Sequence, residues 1–141
     1  MTEVALPDVA QINAFMRKSA FNRWLGIEAI HADPTEARLR VPWRAELGGA
    51  PQMTHGGIFA VIIDVAAFAA IYAASGSLGP TVDMRVDFHA NAPAGELLAV
   101  ARTLRAGRQI LSGEVSIYDV RNRLLASGRC VYFNKTDHLG M

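Results

Sequence analysis

The stretch THGGIFAVIIDVAAFAAIYAAS, residues 54–75, decides how the rest of the chain is read. From Ile58 to Ala74 every residue is apolar except Asp64 and Tyr72, so the segment has no polar face at helical spacing. It is about seventeen residues long, at the lower limit for crossing a bilayer, rich in alanine, and carries an ionisable group near its middle. These features predict a helix inside the core of a soluble protein rather than a membrane span. Thr54 is the expected N-cap, with the helix starting near Gly57, and Ser75-Gly76-Ser77 ends it.

Beyond Gly79-Pro80 the period changes. Val82, Met84, Val86 and Phe88 alternate with Thr81, Asp83, Arg85, Asp87 and His89, which predicts a half-buried strand with the apolar set facing the core. Asn91 to Gly95 reads as a turn, Glu96 to Arg105 as a strand, Ala106-Gly107-Arg108 as a tight turn, and Gln109 to Tyr118 and Leu124 to Phe133 as two more strands. These four strands are expected to form a meander. On the N-terminal side, Ile27–Ala32 and Ala37–Val41 flank Asp33-Pro34-Thr35 as a hairpin. Residues 42–53, with two prolines and Gly48-Gly49, read as a loop. Val9, Ile12, Phe15 and Met16 begin a helical spacing that runs to about Phe21 and Trp24, before Gly26 stops it. The class is α+β: one long antiparallel sheet curled around a fully apolar helix, with an amphipathic helix as a lid.

Composition narrows the function classes. The chain has 141 residues, the size of one domain, with 51% hydrophobic and 19% charged residues, which points to apolar burial between subunits. A net charge of +1, spread without basic blocks, excludes a phosphate-backbone binder. Cys130 is the only cysteine, so an intrachain disulfide and a cysteine-based metal site are both impossible, and a reducing compartment is expected. The start, MTEVALPDVAQ, lacks the basic and apolar regions of a secretory signal, and a cytoplasmic location is expected.

Chemistry concentrates in His55-Gly56-Gly57, six apolar residues, then Asp64. A glycine pair at a helix start lets a ligand approach bare backbone, where free N–H groups and the helix dipole favour a developing oxyanion. Asp64 follows about two turns on, where a buried carboxylate is costly unless it is paired, hydrogen-bonded or functional. Taken alone, His55 is more often a structural cap or loop anchor, and Asp64 is equally readable as a satisfied core carboxylate.

The segment resembles the PaaI-like acyl-CoA thioesterases of the hotdog superfamily, whose motif reads HGG, six residues, then Asp or Glu. His55-Gly56-Gly57 and Asp64 match in residue type and spacing, and Thr81-Val82-Asp83-Met84 resembles the strand that follows the helix in that family. The likeness spans roughly residues 21–134. It implies a single domain comprising a lid helix over 1–25, a hotdog core over 26–134 and a tail over 135–141.

By that resemblance the backbone N–H of Gly56 or Gly57 would polarise a thioester carbonyl. Asp64 of a partner subunit would attack the carbonyl or activate water, Thr81 would help to hold the water or carboxylate, and His55 would support the glycine loop. A homodimer or homotetramer with shared sites follows, acting on acyl-CoA without a metal or redox cofactor and with neither nucleic acid nor membrane as a partner. The chain departs from the pattern at Gly49, where family members often carry Asn or Gln; nearby Gln52 is the candidate substitute. Arg105 and Arg108, flanking Gly107, are candidates to grip coenzyme A phosphates, although a solvated turn is the commoner reading of such a pair. Two other functions are compatible with the fold. A hydratase or dehydratase would need a different His-to-acid spacing from that between His55 and Asp64. A non-catalytic acyl-CoA-binding module would generally need an attached effector domain.

Overall fold

The computed structural model describes residues 5–136. Its order is α1 (Val9–Met16), α2 (Ala20–Leu25), β1 (Glu28–Ala32), β2 (Ala37–Val41), a 3-10 turn (Ala45–Leu47), α3 (Gly56–Ser75), β3 (Thr81–Phe88), β4 (Leu97–Ala106), β5 (Ile110–Tyr118) and β6 (Leu124–Phe133). All strand pairs are antiparallel, and the six strands form one sheet in the order β1-β2-β4-β5-β6-β3. The expected tail over 135–141 lies largely outside the described residues.

α3 is the axis on which the sheet is built. Phe59, Ile62, Ile63, Ala66, Ala67, Ala70 and Ile71 are buried, in one core with Leu39, Leu97, Leu111, Ile117 and Leu125 from the strands. Small residues set the depth of contact. A Cβ at Gly113 would sit 3.2 Å from the Cβ of Ala67, and one at Gly128 would sit 2.8 Å from Ile63 Cδ1. The helix thus rests almost directly on the backbone of β5 and β6, and its apolarity is taken up by the sheet. This is the hotdog arrangement.

Three sequence expectations need correction. The last four strands do not run as a meander: β3 lies on the far edge beside β6, while β4 pairs with β2. Asn91–Gly95 is therefore a crossover and not a hairpin turn. It is pinned to the loop before α3, where Thr54 N–H donates to the Ala92 carbonyl and Ala94 N–H to that of Gln52, both at 2.8 Å. Asn, Pro and Gly favour a change of direction, but the pairing partner is a non-local choice.

The alternation along β3 is also muted. Met84 and Val86 are half-buried, but Val82 is 58% and Phe88 61% exposed, because β3 is an edge strand with one open flank. At the N-terminus the expected continuous lid helix is two. α1 ends at Met16, and α2 starts afresh after Ser19, whose hydroxyl accepts from Asn22 N–H, before Gly26 closes it in the left-handed conformation at φ 76°.

The lid is tied down by a residue that periodicity does not single out. Asn13, on the buried side of α1, donates from Nδ2 to the Ala29 carbonyl and accepts from Ala29 N–H, both at 2.9 Å. It pairs with the free edge of β1 as a further strand would. Phe15 stacks on Phe68 of α3, with ring centroids 5.3 Å apart, and closes the lid over that helix.

Candidate active site

The N-terminus of α3 is shaped by the loop before it. His55 N–H donates to the Leu47 carbonyl at 2.7 Å, which holds the chain as it enters the helix. The N-cap is His55 and not Thr54: the imidazole Nδ1 accepts from Gly57 N–H at 2.9 Å. Thr54 is buried, and its hydroxyl instead accepts from Trp43 Nε1 at 3.2 Å.

The capping has a chemical consequence. Of the two candidate oxyanion donors, Gly57 N–H is engaged by His55, whereas Gly56 N–H has no partner among the described residues. The Phe88 ring lies against Gly56, 3.5 Å from where a Cβ would stand, and meets Phe59 edge-on. A bare donor flanked by aromatic carbon, at the positive end of a 20-residue helix, is a setting in which a carbonyl oxygen gains charge stabilisation. Gly49 packs against the same imidazole, with its Cβ position 3.2 Å from His55 Cδ2. The position where the resemblance calls for a carboxamide is therefore beside the cap, but occupied by no side chain. Gln52 sits in the same loop with a left-handed backbone, φ 58°, and an exposed side chain whose carboxamide makes no hydrogen bond among the described residues.

Asp64 is half-buried, not fully enclosed. One carboxylate oxygen, Oδ1, is held twice. Thr81 Oγ1 donates to it at 2.8 Å from the first residue of β3, and Cys130 Sγ at 3.4 Å from β6. The Tyr132 hydroxyl donates to the main-chain carbonyl of Asp64 itself. Burial pushes the Cys130 thiol up to about 12, assisted by the neighbouring Asp64 charge, so this side chain stays a protonated donor. Burial likewise pushes the Tyr132 phenol well above its ordinary value. Oδ2 carries none of these bonds.

Asp64 opens onto a cleft of about 380 Å³ between the lid and α3, lined also by Phe15, Met16, Lys18, Ser19, Val65 and Phe68. Its walls are mainly aromatic and aliphatic, with polar groups at the turn between α1 and α2. The lid lining and the β6 donors were not among the sequence candidates. The spacing of Phe15 and Met16 marks α1 as amphipathic, but only the fold brings it over Asp64. Arg105 and Arg108 do not join this cleft. They line a separate polar groove at the β4–β5 hairpin with Gly107, Gln109 and Asn134, and neither meets a carboxylate among the described residues.

A sheet wrapped on one apolar helix defines the hotdog fold, and here it carries a bare N–H at the helix start and an oriented carboxylate two turns on. The model of the thioesterase superfamily matches residues 52–126, more than half of the chain, and the chain belongs to that superfamily. A protein of Halobacterium salinarum, to which esterase activity is provisionally ascribed, is 30% identical over 115 residues, covering 77% of this chain and 76% of that one. Among solved structures, a thioesterase-superfamily protein known from X-ray work superposes with a TM-score of 0.84 at 35% identity, over 89% of this chain and 96% of its own. Zebrafish thioesterase superfamily member 2 shares the fold, with a TM-score of 0.81 at 23% identity, over 90% of this chain and 98% of its own. Family membership supports hydrolysis of a thioester as the reaction class.

Proposed function

We propose that this protein hydrolyses acyl-CoA thioesters, in the manner of PaaI-like enzymes, as a homodimer or a tetramer of two such dimers, with shared active sites. The observation that carries the reading is the Asp64 carboxylate, fixed through Oδ1 by Thr81 and open at Oδ2 beside an apolar cleft. Gly56 N–H takes the thioester carbonyl oxygen. Oδ2 either attacks the carbonyl carbon, expelling coenzyme A as the thiolate and leaving an anhydride for water to open, or removes a proton from a water that attacks instead. Both routes end in free acid and coenzyme A. Water is the only co-reactant, so the scheme draws on no metal or redox cofactor.

Geometry argues that two copies share each site. Gly56 and Asp64 are eight residues apart on α3, about 12 Å along the axis. A carbonyl held between a nucleophile and a donor, each at about 3 Å, spans no more than about 7 Å. The lean of the Asp64 side chain toward the helix start does not close that difference. An antiparallel partner related by a two-fold axis would bring Gly56 of one copy to Asp64 of the other. The open edge of β3, with exposed Val82 and Phe88, is the surface on which such a partner continues the sheet.

Arg105 and Arg108, both exposed, are proposed to meet the phosphates of coenzyme A, while the acyl group enters the Phe15–Phe68 cleft. Cytoplasmic location accords with the single buried thiol. Neither nucleic acid nor membrane is required as a partner. The test is release of free thiol from acyl-CoAs by the purified protein: turnover abolished in Asp64→Asn supports the reading, and saturable binding without turnover rejects it.

A further inference from the structure

We infer that Cys130 is a positioning residue for the reaction: its thiol, with Thr81, fixes Asp64 Oδ1 so that Oδ2 alone faces the acyl group. The inference rests on the catalytic role proposed for Asp64, but reaches a residue on a different element and assigns the two carboxylate oxygens different tasks.

Cys130 is fully buried at mid-strand in β6, paired with Met84 on one side and Gly113 on the other. Cys130 and Tyr132 project from the same face of β6, toward α3. They grip Asp64 at two levels: the thiol on the carboxylate, at 3.4 Å from Oδ1, and the phenol on the main-chain carbonyl. Thr81 completes the arrangement from β3, at 2.8 Å. A carboxylate with one oxygen twice hydrogen-bonded and the other unbonded has its rotation about the Cβ–Cγ bond arrested, which selects the reacting atom.

A thiol suits this position. It is a weak donor, so it orients Oδ1 without drawing away as much of the carboxylate's reactivity as a hydroxyl would. Because burial keeps it protonated, it adds no second negative charge beside Asp64. Among the described residues, Cys130 meets the carboxylate and Tyr132 the main-chain carbonyl of Asp64, and Lys18, from the turn between α1 and α2, lines the same cleft.

The experiment compares Cys130→Ala, which removes the donor, with Cys130→Ser, which keeps one, using thiol release from an acyl-CoA that the wild type turns over. Cys130→Ala is expected to lower kcat about tenfold, the scale of one lost hydrogen bond to a charged group, with KM within about twofold. Cys130→Ser should restore most of kcat. If Cys130→Ala does not fold, Cys130→Val, which fills the space without a donor, takes its place. Wild-type kcat in the donor-free variant would overturn the inference, as would a Cys130→Ser variant as slow as the donor-free one. If instead Asp64→Asn keeps its turnover, the catalytic reading of Asp64 fails first, so the two failures are distinguishable.

Discussion

Thr81 Oγ1 donates a 2.8 Å hydrogen bond to Asp64 Oδ1, joining the first residue of the edge strand to the middle of the central helix. The two residues are 17 positions apart in sequence, and the loop at Gly76–Pro80 turns the chain so that β3 starts beside the carboxylate. Thr81→Ala should lower kcat roughly tenfold with little change in KM, the scale of one hydrogen bond to a charged group. Thr81→Ser should stay within about threefold of wild type, since the donor is kept. Equal kcat in Thr81→Ala and wild type would show that this contact has no part in turnover.

Gly57 makes a different demand. A Cβ there would stand 3.2 Å from His55 Nδ1, so Gly57→Val presses on the imidazole that caps the helix before it meets any substrate. The variant should fold, with α3 secured by its core, and lose turnover more than stability. Thermal melting beside steady-state kinetics checks this, and a folded Gly57→Val protein with wild-type kcat would show that the cap and the helix start are not part of the site.

Much of this was legible along the chain, and the limits are physical. Gly56, Gly57 and Asp64 lie on one helix that His55 caps, so their spacing in sequence is already their spacing along it, and all six strands fall within a residue or so of where periodicity places them. Cys130 and Tyr132 could not be found this way, because β6 reaches Asp64 through a register set by distant pairing. Thr54 had the chemistry of an N-cap but lost that role to His55, since Trp43 claims its hydroxyl from eleven residues away. The meander failed for the same reason: turn residues signal a change of direction and carry no information about which strand comes next.

Gly128 tests the packing that holds the site. A Cβ on it would come within 2.8 Å of Ile63 Cδ1 and closer still to the Arg85 carbonyl oxygen, between α3 and β3. Gly128→Ala should destabilise the protein by roughly 1–3 kcal/mol, the usual cost of forcing a methyl group into a full core. Denaturant unfolding measures this, and a variant as stable as wild type would mean that helix and sheet do not approach so closely.

The shared site predicts that activity follows assembly. Sedimentation should find a homodimer or larger at assay concentration, and specific activity should fall on dilution as copies separate. A stable monomer with full specific activity would contradict the two-copy site.

The most direct measurement is thiol release from acyl-CoA by wild type and Asp64→Asn, normalised to folded subunit. Asn keeps the volume and can still accept from Thr81, but has neither charge nor nucleophilic oxygen. Turnover should fall by at least about a hundredfold, the scale of a lost general base, while oligomeric state and acyl-CoA affinity persist. A near wild-type rate accompanied by a shift in thermal stability would make Asp64 a structural carboxylate and contradict the account.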